Sequence, residues 1–345
     1  MHPVGYHEAR RIAWVLHGDL AQRTGGTIYD REVVDGLRRA GDDVRVVSLP
    51  GRLMHELRGF RPDVVVGDEL CFRELAIAFR LLVGRRKPRR VLLVHHLTAW
   101  ETELSPLRRR LVRIVESLAI RASDRVVTTS HATRDRLVAE GTRTSIDVVL
   151  PGADRLERCG RLRNADDLAF VFVGSIVPRK RVFELVDAFA SASVKGRLVL
   201  VGSLARDEHY VRDVRALIAQ RGVGTRVVLT GELAETAVAR ALASADVLVM
   251  PSSLEGYGIA ATEAIRAGTP VIAARTPGLE EALARCPDAT LFVDATGRSA
   301  LATALGRFAT DASLRASMTA AAHAASPHMP TWAACVEGFR AALMG

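Results

Sequence analysis

Short apolar runs alternate with longer amphipathic stretches from one end of the chain to the other. The runs, rich in Val, Leu and Ile, fall at residues 11–16, 44–48, 63–67, 91–95, 125–129 and 146–150, and again at 169–174, 197–202, 226–230, 246–250, 270–274 and 289–293. Apolar runs of this length suit strands buried on both faces, and the segments between them carry helical spacing. The pattern predicts an α/β protein with two Rossmann-like, doubly wound parallel-sheet domains, six strands in each. A polar stretch without either period, 151–167, reads as the connection. The expected units are residues 1–160 and 161–328, followed by a terminal helical segment, 329–345, packing back toward the first unit. Two such sheets facing each other leave a cleft, and ligands of doubly wound sheets sit at the carboxyl ends of strands.

One corner between strand and helix is unusual. In LEGYGIAATEA (254–264), Glu255 and Glu263 stand eight positions apart around Gly256, Tyr257, Gly258 and Ile259. The preceding run ends at Pro251, and Gly268 with Pro270 stops the helix that follows. A helix start offers unpaired N–H groups to an anion, and glycine lets a ligand approach the backbone. Glu263 would lie about 7 Å along the helix, an offset suited to a diphosphate joined to a ribose. The plain alternative is a tight turn whose glutamates face water.

Similar corners recur at other strand ends. Gly25, Gly26 and Thr27 open a helix after the first strand, and His95–His96 follow the fourth. FVGSIVPRK ends the seventh strand, setting Arg179 and Lys180 after Gly174, Ser175 and Pro178 at an expected helix start. Cations there oppose the helix dipole unless an anion binds. GELAE exposes the Glu232–Leu233 backbone to a planar base. No DxD pair and no His, Cys or carboxylate cluster with ligand spacing occurs, so no metal and no cofactor are expected.

Composition narrows the classes. The 345 residues are 48% hydrophobic, enough for two real cores, and no apolar run is as long as a membrane span. Four scattered cysteines (71, 159, 286 and 335) form no CxxC, which points to reduced thiols and a cytoplasmic setting. The +9 net charge resides in the first half, in GRRKPRR (84–90) and LRRRLVR (107–113). Nucleic acid is not the expected partner, because only 5% of residues are aromatic and no binding module accompanies the arginines.

The motifs TGGTIYDREVVDGLRRAGDDVRVVSLPG, VLPGAD, FVGSIVPRK, GELAE and PSSLEGYGIAATEAIRAGTPVIAA together resemble the retaining glycosyltransferases of family 4, which have the GT-B fold. The similarity covers nearly the whole chain. It implies a nucleotide-diphosphate sugar donor, UDP-linked in first place and GDP-linked in second, and metal-independent hexosyl transfer. It implies that Glu263 accepts ribose hydroxyls and that Glu255 with the Gly256–Ile259 backbone holds sugar and diphosphate. Arg179 and Lys180 would neutralise the diphosphate, and Glu232 and Leu233 would meet the base. Gly25 and Gly26 would lie near phosphate and acceptor, and His95 would approach the sugar, with His96 the adjacent candidate. Many members carry arginine where this chain has Ser175. Without a second placed carboxylate, front-face transfer is favoured, the leaving phosphate helping to deprotonate the acceptor.

Two other classes are weighed against transfer. A nucleotide-sugar epimerase or hydrolase on the same fold would need no acceptor, and a nucleic-acid-binding protein would use the basic half. The acceptor itself, whether saccharide, small molecule or lipid-linked, is not written in these motifs. One feature bears on it. Leu104, Leu107, Leu111, Ile114 and Leu118 follow helical spacing, with Arg108, Arg109, Arg110 and Arg113 on other faces. That helix either turns its leucines to the core or docks peripherally on anionic membrane.

Overall fold

The computed structural model describes residues 9–82, 84, 87–101, 103–160, 167–192, 194–294 and 298–344. Arg85 and Arg86 of the first basic run and residues 161–166 of the expected connection lie outside these.

Strands β1 (Arg11–His17), β2 (Asp43–Leu49), β3 (Val64–Asp68), β4 (Arg89–Val94), β5 (Arg125–Thr128) and β6 (Ile146–Val148) form one sheet. Its order is β2-β1-β3-β4-β5-β6, and every pairing is parallel. Strands β7 (Leu168–Val173), β8 (Gly196–Val201), β9 (Val227–Gly231), β10 (Val247–Met250), β11 (Val271–Ala274) and β12 (Thr290–Val293) form the second, in the order β12-β11-β10-β7-β8-β9. It too is parallel throughout. All twelve expected strands are present, with ends shifted by at most two residues. Central strands such as β3, β10 and β11 are buried at every position, as sheets covered on both faces require.

Each sheet has a reversal point, β1/β3 in the first and β7/β10 in the second, where adjacent loops leave in opposite directions and open a crevice. The two crevices face each other, so the strand-end motifs are brought together by topology.

The helix Trp332–Met344 closes the core of the first half, not the second. Its Trp332, Cys335, Phe339 and Leu343 pack with Trp14, Tyr29 and Val33, and the Phe339 and Trp14 rings lie 5.2 Å apart. The chain crosses between halves at Gly152, where a Cβ would sit 2.2 Å from the Trp332 amide nitrogen. Glycine is therefore a packing requirement there. Asp154 Oδ1 accepts from that same N–H at 2.7 Å, which pins the crossing.

Candidate active site

A cleft of about 600 Å³ runs between the two sheets. All fifteen residues singled out from the sequence border it: Gly25, Gly26 and His95 from the first half, and Gly174, Ser175, Arg179, Lys180, Glu232, Leu233, Glu255–Ile259 and Glu263 from the second.

The corner after β10 carries the densest chemistry. Gly258 caps the helix Ile259–Arg266 with φ 110°, a conformation open to glycine and strained for other residues. Glu263 is the fifth residue of that helix, and its side chain is 2% exposed. Gly256, which borders the cleft, also meets a packing demand that spacing did not show. A Cβ there would lie 2.3 Å from the His95 carbonyl oxygen, so its bareness admits the backbone of the opposite half.

Arg179 and Lys180 depart from expectation. They occupy a separate 3₁₀ turn, Pro178–Lys180, and Arg181 in the left-handed region (φ 54°) divides it from the helix Val182–Ser191. The dipole argument therefore does not apply to them directly. Their charges are met by carboxylates instead: Lys180 Nζ lies 2.5 Å from Glu255 Oε1, and Arg179 Nε lies 3.6 Å from Glu101 Oε1. Burial alone would raise the Glu255 pKa, but Lys180 and then Arg179 override it and hold the carboxyl below its usual range. Glu255 is thus an ionised, buried carboxylate beside two cations.

The two histidines have different neighbours. The His95 ring lies over Gly26, where a Cβ would stand 3.3 Å from Cδ2, and packs edge-on to Tyr29. Its Nε2 is buried without a hydrogen-bond partner among the described residues, 3.9 Å from Asp30 Oδ1 and 3.7 Å from Asp68 Oδ2. The His96 ring sits between Glu69 (3.3 Å) and Glu101 (3.4 Å), and Glu101 in turn reaches Arg179 across the cleft. Burial lowers the pKa of both rings, so both favour the neutral form. Both backbone N–H groups donate to Glu69 Oε2, which fixes the loop after β4.

The fold also assembles what spacing could not show. Asp30, Asp68 and His95 come from three separate segments, yet one ligand-capable atom from each lies within 4.8 Å of the others. The expectation that no such cluster exists was a statement about sequence neighbours and does not hold in three dimensions. Burial, and for Asp68 also the Asp30 charge, raises the two carboxyls to about 8 and about 7.

Sequence reasoning missed Asp68, Glu69, Glu101, Arg155 and Glu235, all of which border the cleft. Only the position of Asp68 and Glu69 at the end of β3 was a usable signal.

Comparison with known proteins follows the same division into halves. The family model for glycosyl transferases group 1 matches residues 156–324, and that for Glycosyltransferase Family 4 matches residues 41–155. The chain belongs to the group 1 and family 4 glycosyltransferases. A GDP-mannose-dependent alpha-(1-6)-phosphatidylinositol dimannoside mannosyltransferase of Mycobacterium tuberculosis is 29% identical over 252 residues, 68% of this chain and 62% of that relative. The match thus spans about three fifths of the relative's length. Among solved structures, sucrose-phosphate synthase from Thermosynechococcus elongatus superposes with a TM-score of 0.84 at 20% identity, covering 96% of this chain and 98% of that one. HepE of Anabaena, solved with UDP-glucose, gives 0.79 at 16% identity, covering 97% and 100%. At these identities the structures establish the GT-B fold of this family member.

Proposed function

We propose that this family 4 glycosyltransferase moves a hexosyl unit from a nucleotide-diphosphate sugar to an acceptor with retention of anomeric configuration and without a metal. The observation that carries this reading is the pairing of Lys180 with Glu255, beside Arg179, in a cleft walled by both halves. Breaking the anomeric bond puts negative charge on the diphosphate and positive charge on the sugar ring. Arg179, Lys180 and the amides that open the helix at Ile259 stabilise the first; Glu255 and His95 orient the second. The Glu232–Leu233 backbone meets the base, and Glu263 takes the ribose. Gly25 and Gly26 leave room for phosphate and acceptor: a Cβ at Gly25 would meet nothing within 4 Å. The leaving phosphate deprotonates the acceptor on the same face. Residues 1–160 form the acceptor side and 161–328 the donor side. UDP is favoured as carrier, in line with the UDP-glucose bound to HepE, and GDP follows from the mannosyltransferase relative.

The acceptor side supports a lipid-linked acceptor. In the helix Pro106–Ala122 the packed face is Glu116, Ala119, Ile120 and Ala122, whereas Leu107, Leu111 and Ile114 are exposed. The leucine stripe that sequence offered as a core face therefore points to water for most of its length. The neighbouring helix Phe72–Leu81 adds exposed Ile77 and Leu81, and Arg80, Arg108, Arg110 and Arg113 stand among them as exposed cations. Apolar side chains ringed by arginine fit an anionic membrane surface. No described helix is long and apolar enough to cross a membrane, and the proposed attachment is peripheral, on the cytoplasmic face. The mannosyltransferase relative is named for a phosphatidylinositol acceptor, which accords with this.

Mass spectrometry of products from a panel of UDP- and GDP-sugars with cell extract tests the transfer. The expected product is a glycosylated second molecule with release of nucleoside diphosphate, undiminished by exhaustive chelation. Free sugar alone, or an epimerised donor, would sink the reading.

A further inference from the structure

Arg155 lies in the connection between the halves, and its side chain is only 6% exposed. A cation this buried persists only where it is paired. Its Nε and Nη2 both reach Glu263 Oε1 at 2.8 Å, and its Nη1 reaches Glu235 Oε1 at 2.9 Å. Glu235 opens the helix Glu235–Ser244, two residues after the Glu232–Leu233 backbone, and also accepts from Arg31 Nη2 of the first half. The fork of one guanidinium thus joins the carboxylate at the far end of the cleft to a second carboxylate, which in turn binds the opposite half.

We propose that Arg155 is a positioning residue for ribose recognition. It fixes the Glu263 carboxylate in the orientation that accepts the hydroxyls of a ribonucleoside, and so gives the site its preference for ribose over 2′-deoxyribose. The proposal rests on the assignment of Glu263 to the ribose. Several charges bear on that carboxyl. Its pKa stands raised to about 7 even with Arg155 beside it: burial raises it most, Arg155 opposes the rise, and Glu235 and Glu32 add to it. Arg31 lies on the far side of Glu235. Without Arg155 the carboxyl is left with burial and two like charges, all favouring the protonated state, which accepts hydrogen bonds poorly. A lysine keeps the charge but loses the planar fork that serves two carboxylates at once.

Calorimetric titration of UDP, GDP and their 2′-deoxy analogues into wild type, Arg155→Gln, Arg155→Lys and Glu263→Gln tests this. A hydroxyl bonded to an ionised carboxylate corresponds to about a ten- to hundredfold preference for the ribonucleotide, and wild type is expected to show it. The preference should collapse toward one in Arg155→Gln and Glu263→Gln and fall between in Arg155→Lys. The residual ribonucleotide affinity of Arg155→Gln should also rise more at alkaline pH than that of wild type. Arg155→Lys serves as the folded test if the glutamine variant does not fold. If Glu263→Gln loses the preference while either Arg155 variant keeps the wild-type ratio, Arg155 is only structural and the proposal is overturned. If wild type itself does not distinguish ribose from deoxyribose, the ribose assignment falls, and the proposal with it.

Discussion

The two halves share a parallel six-stranded plan but build their walls of the cleft differently. In the second half, one continuous stretch from Pro251 to Glu263 supplies a strand end, a corner, a capping glycine and two carboxylates, and the ends of β7 and β9 add Arg179, Lys180 and the Glu232–Leu233 backbone to it. In the first, the wall comes from the ends of β1, β3, β4 and β5, and its charged groups meet only after folding. The second half takes only Ala153 and Met329 from the flanking crossings into its core, whereas the first borrows the whole helix Trp332–Met344 to cover one face. A site coded in one segment is tied to local backbone chemistry. A site assembled from several strand ends depends on the packing that holds those ends in register.

The sharpest way to break this contrast is to remove the borrowed contact. Phe339 is fully buried against Trp14 and Tyr29. Phe339→Ala is expected to cost about 3–5 kcal/mol of stability. In urea unfolding the loss should appear first in the first half, although the substitution lies near the end of the chain. Unfolding of the second half ahead of the first would contradict the assignment of this helix.

Next in size is the wall from the second half. Lys180→Ala should lower turnover about 10²–10³-fold, as for loss of one preorganised transition-state donor. Near-normal turnover would remove Lys180 from the chemistry. Gly256→Ala then asks whether the halves must touch, since the added carbon meets the His95 carbonyl. A cost of about 1–3 kcal/mol is expected from the overpacking, visible as slower turnover with nucleotide affinity largely kept.

Acid–base behaviour separates the walls again. With its pKa raised to about 8, Asp30 binds its proton more tightly folded than unfolded. Its contribution to stability is present below its ordinary range near 4 and is lost as pH rises through 8. Thermal melting of Asp30→Asn should show a flatter decline between pH 5 and 9 than wild type, and an unchanged slope would refute the protonated state. The smallest effect is expected at the outer surface of the first half. Each of Arg108, Arg110 and Arg113 should contribute about 1 kcal/mol to anionic-vesicle binding, lost in high salt. Sedimentation that is indifferent to all three would leave the exposed leucines unexplained.

The same contrast governs what the sequence could reveal. The strands were legible because buried parallel strands must be apolar throughout, and the Glu255–Glu263 corner because its parts are neighbours in sequence. Asp68 and Glu69 offered only their place at the end of β3, and Glu101, seven residues beyond the end of β4, carried no spacing signal. Arg155 followed the VLPGAD motif in plain view, but an arginine in a polar connection looks solvated until its two carboxylates are seen. The exposed leucines misled for the opposite reason: periodicity fixes which residues share a face, but not which way that face turns. The helix-start reading of Arg179 and Lys180 failed because Arg181 adopts a left-handed conformation that side-chain type does not announce.

On the proposed function, Lys180 and Arg179 hold a diphosphate in this cleft. The direct measurement is the difference in affinity between a nucleoside diphosphate and its bare nucleoside, by calorimetry, for wild type and Lys180→Ala. Wild type should bind the diphosphate much more tightly, and the variant should lose most of that margin while binding the nucleoside as before. Equal affinity for the two in wild type, or an undiminished margin in the variant, would contradict it.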